Sequence, residues 1–200
     1  MNKHRDQRVG VFIDVANMYH SAKNLYGAKV NFKEVLKEAV AGRKLIRAIA
    51  YAIRSESEEE RAFFDALDKQ GFEVKLKDLQ IFAGGAKKAD WDVGIAVDAI
   101  KLADRLDAVV LVTGDGDYQP LVIYLQENKG CRVEVIAFSQ TTSGKLLEVK
   151  DSFIDLAEDT KRFLLTDNRL RRLIPDITRL QGRGEPPRYH RPDKNQQHPN

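Results

Sequence analysis

The sequence is poor in several features that would indicate particular classes of protein. It has one cysteine, Cys131, so an intramolecular disulfide is impossible. It has no apolar run long enough to cross a bilayer, and the charged N-terminus MNKHRDQR is not followed by the apolar segment of a signal peptide. No P-loop is present, and no glycine-rich dinucleotide fingerprint follows the first predicted strand. We therefore expect a cytoplasmic protein without a membrane partner.

The composition is sufficient for one domain, and the charge is unevenly distributed. Of the 200 residues, 42% are hydrophobic, which allows a real core, and the net charge of +3 is too small to indicate nucleic acid by itself. Residues 160–180 combine apolar side chains with arginines and predict a basic amphipathic helical extension, interrupted at Pro175. Residues 181–200 are rich in Pro, Gly and polar residues and predict a disordered basic tail. Residues 1–159 remain as the folded domain.

Strand and helix patterns alternate through this domain. Strands are predicted over 8–14, 44–53, 72–77, 107–113 and 131–138, and helices near 16–25, 32–41, 56–70, 91–105 and 117–128. Such alternation is typical of a parallel sheet covered by helices on both faces. The fold class is therefore α/β, with three layers in the order α/β/α.

Acidic residues lie where buried strands end or helices begin. Asp14 ends the first strand, Asp92 lies at a helix start, and Asp115 and Asp117 follow the fourth strand in VTGDGDY. Ligands of open α/β sheets bind outside the carboxyl ends of the strands, so these acids can converge there. Crowded carboxylates repel one another unless a hard cation neutralises them. The pattern predicts a site for Mg²⁺ or Mn²⁺.

Each segment also has a purely structural interpretation. Asp14 and Asn17 are suited to a turn and a helix cap, Asp92 to a helix dipole, and GDGD to a sharp turn in which Asp117 caps the next helix. Asp98 follows Asp92 by six residues, about 120° around the helix, so the two do not readily share one ion. Asp98 is nevertheless an acid in apolar surroundings that needs a partner or a metal-bound water, and we rank it second.

The three ordered motifs FIDVAN, KKADWDVGIAVDAI and VTGDGDYQPLV resemble the NYN domain, a group of the PIN-like nuclease superfamily that includes LabA-like proteins. This resemblance, over about residues 8–157, implies a PIN-like (Rossmann-like) fold with strand order 3-2-1-4-5 and a metal-dependent ribonuclease site. The implied acidic pocket contains Asp14, Asn17, Asp92, Asp115 and Asp117. Asp98 matches a further acid of the family's helix.

The expected substrate is RNA, and single-stranded RNA fits best. Its phosphates require cationic side chains beside such a negative pocket, and its bases can stack on aromatic rings. The candidates are Lys87, Lys88 and Arg54, which the arginines at 169, 171, 172 and 179 would extend. Trp91 and Tyr118 could stack on bases, although aromatic residues at helix starts more often pack internally. The hydroxyl of Thr113 could orient a water or a phosphate.

Other functions are compatible with parts of the pattern. A module that binds RNA or protein without turnover would retain the same fold. The complete set of acids argues against it, and an Asp115→Ala variant distinguishes the two. A Toprim-type site also has DGD after a strand, but it needs a glutamate where this chain has Asp14. A thiamine diphosphate site contains GDG but requires a later asparagine pair and a much larger chain. The sequence leaves open whether the protein forms a homodimer.

Overall fold

The computed structural model describes residues 4–54, 58–78, 80–81, 87–88 and 90–165. Its elements in chain order are β1 (Arg8–Asp14), α1 (Val15–Tyr26), β2 (Lys29–Val30), α2 (Phe32–Val40), β3 (Lys44–Arg54), α3 (Glu58–Lys69), β4 (Glu73–Asp78), β5 (Gln80–Ile81), β6 (Lys87–Lys88), α4 (Asp92–Ala103), β7 (Ala108–Val112), α5 (Gln119–Lys129), β8 (Arg132–Ala137), α6 (Gly144–Val149), β9 (Ser152–Asp155), α7 (Thr160–Phe163) and β10 (Leu164–Leu165). A short 3₁₀ turn, Gly116–Tyr118, precedes α5.

The central sheet has six parallel strands in the order β4-β3-β1-β7-β8-β9. The first five of these are the five predicted strands, and they confirm the order 3-2-1-4-5. The sixth strand, β9, is an addition that the sequence pattern did not reveal. Its four residues are all only partly buried, so it lacks the continuous apolar run by which a central strand is recognised.

Two hydrophobic clusters cover the two faces of the sheet and confirm the three-layer architecture. One face packs against α1, α2 and α3 through residues such as Met18, Val35 and Leu67. The other packs against α4, α5 and α6 through residues such as Ile95 and Leu125. Strand β1 is buried from Val9 to Ile13 because it lies between β3 and β7 in the middle of the sheet.

A buried ion pair lies within the domain. The Arg43 guanidinium, which precedes β3, donates hydrogen bonds of 2.8 and 2.9 Å to the two carboxylate oxygens of Glu134 on β8. The two residues are 5% and 0% exposed, and Arg132 also donates to Glu134 at 3.1 Å. Charges so far from water are tolerated only when they are paired, so this pair holds Arg43 in one arrangement.

The domain extends beyond the predicted boundary at residue 159. Instead of starting a long helix, α7 ends at Phe163, and Leu164–Leu165 pairs with Lys29–Val30 as a short antiparallel ladder. Phe163 and Leu164 are buried in the core, which explains why this segment is part of the domain. The rest of the predicted extension and the tail of 181–200 lie outside the described residues. Within the described ranges, no helix is long and apolar enough to cross a membrane.

Candidate metal centre

Asp14 joins β1 to α1 at the carboxyl end of the sheet. Its Oδ1 accepts a 2.9 Å hydrogen bond from the Asn17 backbone N–H and so caps the helix. Burial, together with the nearby carboxylates of Asp92 and Asp115, raises the pKa of Asp14 to about 6, although the hydrogen bond of the cap opposes the increase. Asp14 therefore caps α1 and also lies near the other acids, while its role as a metal ligand stays a prediction.

Asn17 links two of the segments predicted to form the site. Its side-chain oxygen accepts a 3.0 Å hydrogen bond from the backbone N–H of Gly114, 97 positions along the chain. The first turn of α1 is thereby fastened to the loop after β7. Asn17 does not cap α1, because Asp14 does.

The segment 114–117, here called the acidic loop, is held by its own side chains. Asp115 Oδ1 accepts from the Asp117 N–H at 2.9 Å and caps the 3₁₀ turn. Asp117 was expected to cap the next helix, but Tyr118 holds the N-cap position of α5 and no side chain caps that helix. Asp115 in turn donates its backbone N–H to the Thr113 hydroxyl at 3.2 Å. Since Thr113 is only 1% exposed and engaged in this bond, the predicted contact of Thr113 with a phosphate is wrong.

Asp92 opens α4 and meets the acidic loop from the other side. The Tyr118 hydroxyl donates a 3.1 Å hydrogen bond to Asp92 Oδ1. Burial raises the pKa of Asp92, and the neighbouring acids contribute to the increase while the Tyr118 bond opposes it. The ring of Tyr118 is 2% exposed, so the prediction that it stacks on bases is wrong, and its hydroxyl holds a carboxylate instead.

Three acids, Asp92, Asp115 and Asp117, form the acidic cluster. Each offers one carboxylate oxygen, and these three oxygens lie within 4.8 Å of one another. Among the described residues, this is the only group of three or more potential ligands so arranged. Oxygen donors at this separation suit a hard divalent cation.

A cavity beside the acidic cluster, here called the site cavity, contains Asp14 as well. It is lined by side chains from α1, β3, the start of α4 and the acidic loop: Asp14, Ala16, Asn17, His20, Ile53, Asp90, Trp91, Asp92 and Asp115. Segments that are distant in the sequence therefore contribute to one site.

Asp98 does not belong to this group. Its Oδ2 accepts hydrogen bonds of 2.7 Å from Lys75 Nζ and 2.8 Å from the Tyr51 hydroxyl. Burial alone would raise the pKa of Asp98, but these two bonds outweigh it and hold the pKa below its usual range. The predicted role of Asp98 as a metal ligand is therefore wrong, and the partner that a poorly solvated acid requires is Lys75.

Of the residues predicted to contact RNA, only some lie at the site cavity. Trp91 lines the site cavity but is wedged in place: its Nε1–H donates to the Ala52 carbonyl at 2.9 Å, and its ring meets Tyr51 edge-on. The Arg54 guanidinium forms an exposed ion pair with Asp78. Lys87 and Lys88 form the short strand β6, but their side chains lie outside the described part of the molecule.

His20 lines the site cavity but was not predicted from the sequence. It lies on α1 three residues after Asn17, and residues at this spacing are neighbours on a helix surface. Applying this spacing from Asn17 would have identified it. No comparable signal existed for Ile53, whose place in the cavity follows from the pairing of β1 with β3.

Comparisons with known proteins identify the family of this chain. Residues 8–157 match the NYN domain. The chain is 28% identical over 169 residues to the low amplitude and bright protein LabA of Synechococcus elongatus, covering 80% of this chain and 89% of that protein. It also resembles the crystal structure of a protein of unknown function from Vibrio parahaemolyticus, with a TM-score of 0.75, 34% identity and coverage of 82% of this chain and 100% of the other. The chain belongs to the NYN domain family.

Proposed function

We propose that this protein is a Mg²⁺- or Mn²⁺-dependent ribonuclease that hydrolyses phosphodiester bonds in single-stranded RNA. The observation that carries the proposal is the meeting of Asp92, Asp115 and Asp117 within 4.8 Å, beside the buried Asp14. Membership of the NYN family, a group of PIN-like nucleases, supports the same reaction class.

The residues present fit a divalent metal ion. Asp92, Asp115 and Asp117 would hold it, with Asp14 as a further acid facing the site. The raised pKa values of Asp14 and Asp92 show that their charged forms are poorly compensated by the protein, and a cation would compensate them. When bound, Mg²⁺ or Mn²⁺ would activate water for attack on phosphorus and stabilise charge on the leaving oxygen, giving a 5′-phosphate and a 3′-hydroxyl.

The protein's own contribution is to hold these acids in place before substrate arrives. Tyr118 fixes the Asp92 carboxylate, and Asn17 fixes the backbone of the acidic loop. A site prepared in this way avoids reorganisation during the reaction. His20 lines the same cavity, where it can meet a phosphate oxygen.

The substrate must bring polyanionic backbone to a negative pocket, so cations are required nearby. The candidates predicted from the sequence are Arg54, at the end of β3, and Lys87 and Lys88. Single-stranded RNA is favoured because a single strand can bend toward a recessed site and expose its bases to the partly buried Trp91.

The experiment that tests this proposal incubates the purified full chain with labelled single-stranded and duplex RNA and DNA. Each substrate is tested with Mg²⁺, with Mn²⁺ and with a chelator. The Asp115→Asn variant removes one ligand charge while leaving an oxygen to cap the 3₁₀ turn, and Asp68→Asn, on the exposed surface of α3, is the matched control. We expect metal-dependent cleavage of single-stranded RNA by the parent and the control, and its loss in Asp115→Asn.

The same experiment distinguishes an RNA-binding module without turnover. If the parent binds single-stranded RNA but releases no product with either metal, and Asp115→Asn binds equally well, the ribonuclease proposal fails and the binding module is favoured.

A further inference from the structure

The side chains of Ser143 and Lys145 approach the acidic loop at Gly116. A Cβ atom built on Gly116 would lie 2.4 Å from Ser143 Oγ, 2.8 Å from Ser143 Cβ and 3.9 Å from Lys145 Cβ. Gly116 separates Asp115 from Asp117, so Ser143 lies beside the backbone between two acids of the acidic cluster, and the Lys145 side chain begins nearby. Ser143 and Lys145 were not among the residues expected from the sequence.

The backbone fixes this approach. The Ser143 N–H donates a 2.8 Å hydrogen bond to the Gly114 carbonyl, and the Ser143 carbonyl accepts from Leu146 and Leu147 in the first turn of α6. The segment is thus attached at one end to the acidic loop and at the other to α6, whose Leu146 is buried in the core. Ser143 and Lys145 occupy defined positions rather than places on a loose surface loop.

Neither polar group is used by the protein. The Ser143 hydroxyl is partly exposed and does not cap α6. Within the part of the chain that the structure describes, it forms no hydrogen bond, and the exposed Lys145 ammonium forms no ion pair. An unused hydroxyl and an unused cation beside a candidate metal centre are the two kinds of donor that bind phosphate oxygens.

Three cations on the β3 and β4 side of the site, among the side chains that the structure describes, are already engaged. Lys75 is paired with Asp98, and Arg54 with Asp78. Lys77 donates to the Asp90 carbonyl at 3.0 Å and lies 5.8 Å from the centroid of the Trp91 ring. A phosphate on that side must compete with existing partners, whereas at Lys145 it displaces none among the described residues.

We propose that Ser143 and Lys145 form a phosphate-binding element that contacts the RNA backbone on the β8 side of the acidic cluster. This inference rests on the proposed function, because it places the RNA across the same sheet edge. The ammonium supplies charge that offsets the negative cluster, and the hydroxyl donates to a phosphate oxygen. Neither interaction reads bases, so the contact is independent of RNA sequence.

The test measures binding by fluorescence anisotropy with a fluorescein-labelled 12-nucleotide single-stranded RNA in the presence of Mg²⁺. All proteins carry Asp14→Asn, to suppress turnover, and one of three further changes: Lys145→Ala, Ser143→Ala or Lys44→Ala. Lys44 is exposed at the start of β3, at the opposite end of the sheet, so its removal lowers the net charge equally. Alanine suits the exposed helical position of Lys145 and should leave the melting temperature unchanged.

We expect Lys145→Ala to weaken binding about fivefold to tenfold and to reduce the slope of log affinity against log salt by about 0.7. Ser143→Ala should weaken binding about twofold to threefold, for RNAs of different sequence alike. Lys44→Ala should leave both quantities unchanged. Equal affinity and slope for Lys145→Ala and Lys44→Ala would overturn the inference, as would failure of the Asp14→Asn parent to bind the RNA.

Failure of this inference is distinguishable from failure of the proposed function. If the parent chain cleaves RNA but Lys145→Ala has no effect on binding, the phosphate-binding element is refuted and the ribonuclease proposal stands. If binding depends on Lys145 but the parent chain cleaves no RNA, the phosphate-binding element stands and the ribonuclease proposal is refuted.

Discussion

The Tyr118 hydroxyl donates a 3.1 Å hydrogen bond to Asp92 Oδ1 and so joins the residue after the acidic loop to the first residue of α4. Both residues come from segments that the sequence identified as acidic motifs, but the bond between them was not expected. Burial raises the pKa of Tyr118, and the acids around it raise it further, so the phenol stays protonated and always donates. Asp92 is therefore oriented by a permanent donor.

Tyr118→Phe should weaken metal binding while preserving the fold. The ring keeps its packing, but the carboxylate loses the donor that fixes its orientation. Loss of an outer partner of this kind costs about tenfold to a hundredfold in metal affinity or activity. Tyr124→Phe, at an exposed tyrosine on α5, is the control. Calorimetric titration with Mn²⁺ provides the measurement, and identical affinities for the two variants would refute the positioning role of Tyr118.

Gly116→Ala should disturb the site through steric crowding. The sequence suggested that Gly114 and Gly116 permit a sharp turn, yet neither has a positive φ, and the structure requires them small because residues 141–143 pack on them. The new methyl group must displace Ser143, and we expect a loss of about 1–3 kcal/mol in unfolding free energy. Gly144→Ala meets no atom within 4 Å and serves as the control. Urea unfolding of both variants that coincides with the parent would show that the packing tolerates the methyl group.

Asp14→Asn should stabilise the metal-free protein at neutral pH. The pKa of Asp14 is about 6 in the folded state, above its ordinary value of 3.8. The stability that Asp14 contributes is therefore fully present below about pH 3.8 and is lost as the pH rises through 6. Asparagine stays neutral and still accepts the Asn17 bond. The variant should gain about 3 kcal/mol over the parent at pH 7.5, with little gain at pH 4.

Urea unfolding at several pH values with a chelator present measures this gain, and Asp68→Asn on the exposed surface of α3 is the control. A gain that stays constant between pH 4 and 7.5 would contradict the assignment of a raised pKa to Asp14.

Glu134→Gln should destabilise the fold strongly, because it leaves the buried Arg43 charge without its partner. Breaking a buried pair in this way costs about 3–5 kcal/mol, whereas replacing both partners by apolar residues is often neutral. Glu134→Gln should therefore unfold at lower urea concentration than the double variant Arg43→Met with Glu134→Met. Glu127→Gln, exposed on α5, controls for the loss of one charge. The reverse order of stability would disprove this interpretation of the pair.

The sheet could be predicted because its information is local. Strands such as β1 and β7 are continuous apolar runs bounded by polar residues, and the predicted strand 8–14 coincides with β1. Helix α2 falls within the predicted helix 32–41, and Asn31 caps its start, with Asn31 Oδ1 accepting from the Glu34 N–H. Edge strand β9 escaped prediction because it is short and only half buried.

The partners of side chains could not be predicted in the same way. Asp98 pairs with Lys75, 23 positions earlier, and Arg43 with Glu134, 91 positions later. Nothing in local spacing reveals such contacts, because they depend on which strands become neighbours. The approach of Ser143 to Gly116 likewise arises from the packing of α6 on the acidic loop. The acidic residues of the site could therefore be predicted from the sequence, but the residues that hold them in place could not.

The central claim is that Asp92, Asp115 and Asp117 hold one divalent metal site between them, and Mn²⁺ binding followed by electron paramagnetic resonance tests it most directly. The signal of free Mn²⁺ should fall on addition of the parent protein, and Asp92→Asn or Asp115→Asn should restore most of it, while Asp68→Asn should not. A free Mn²⁺ signal that is the same for the parent and for both site variants would contradict the account.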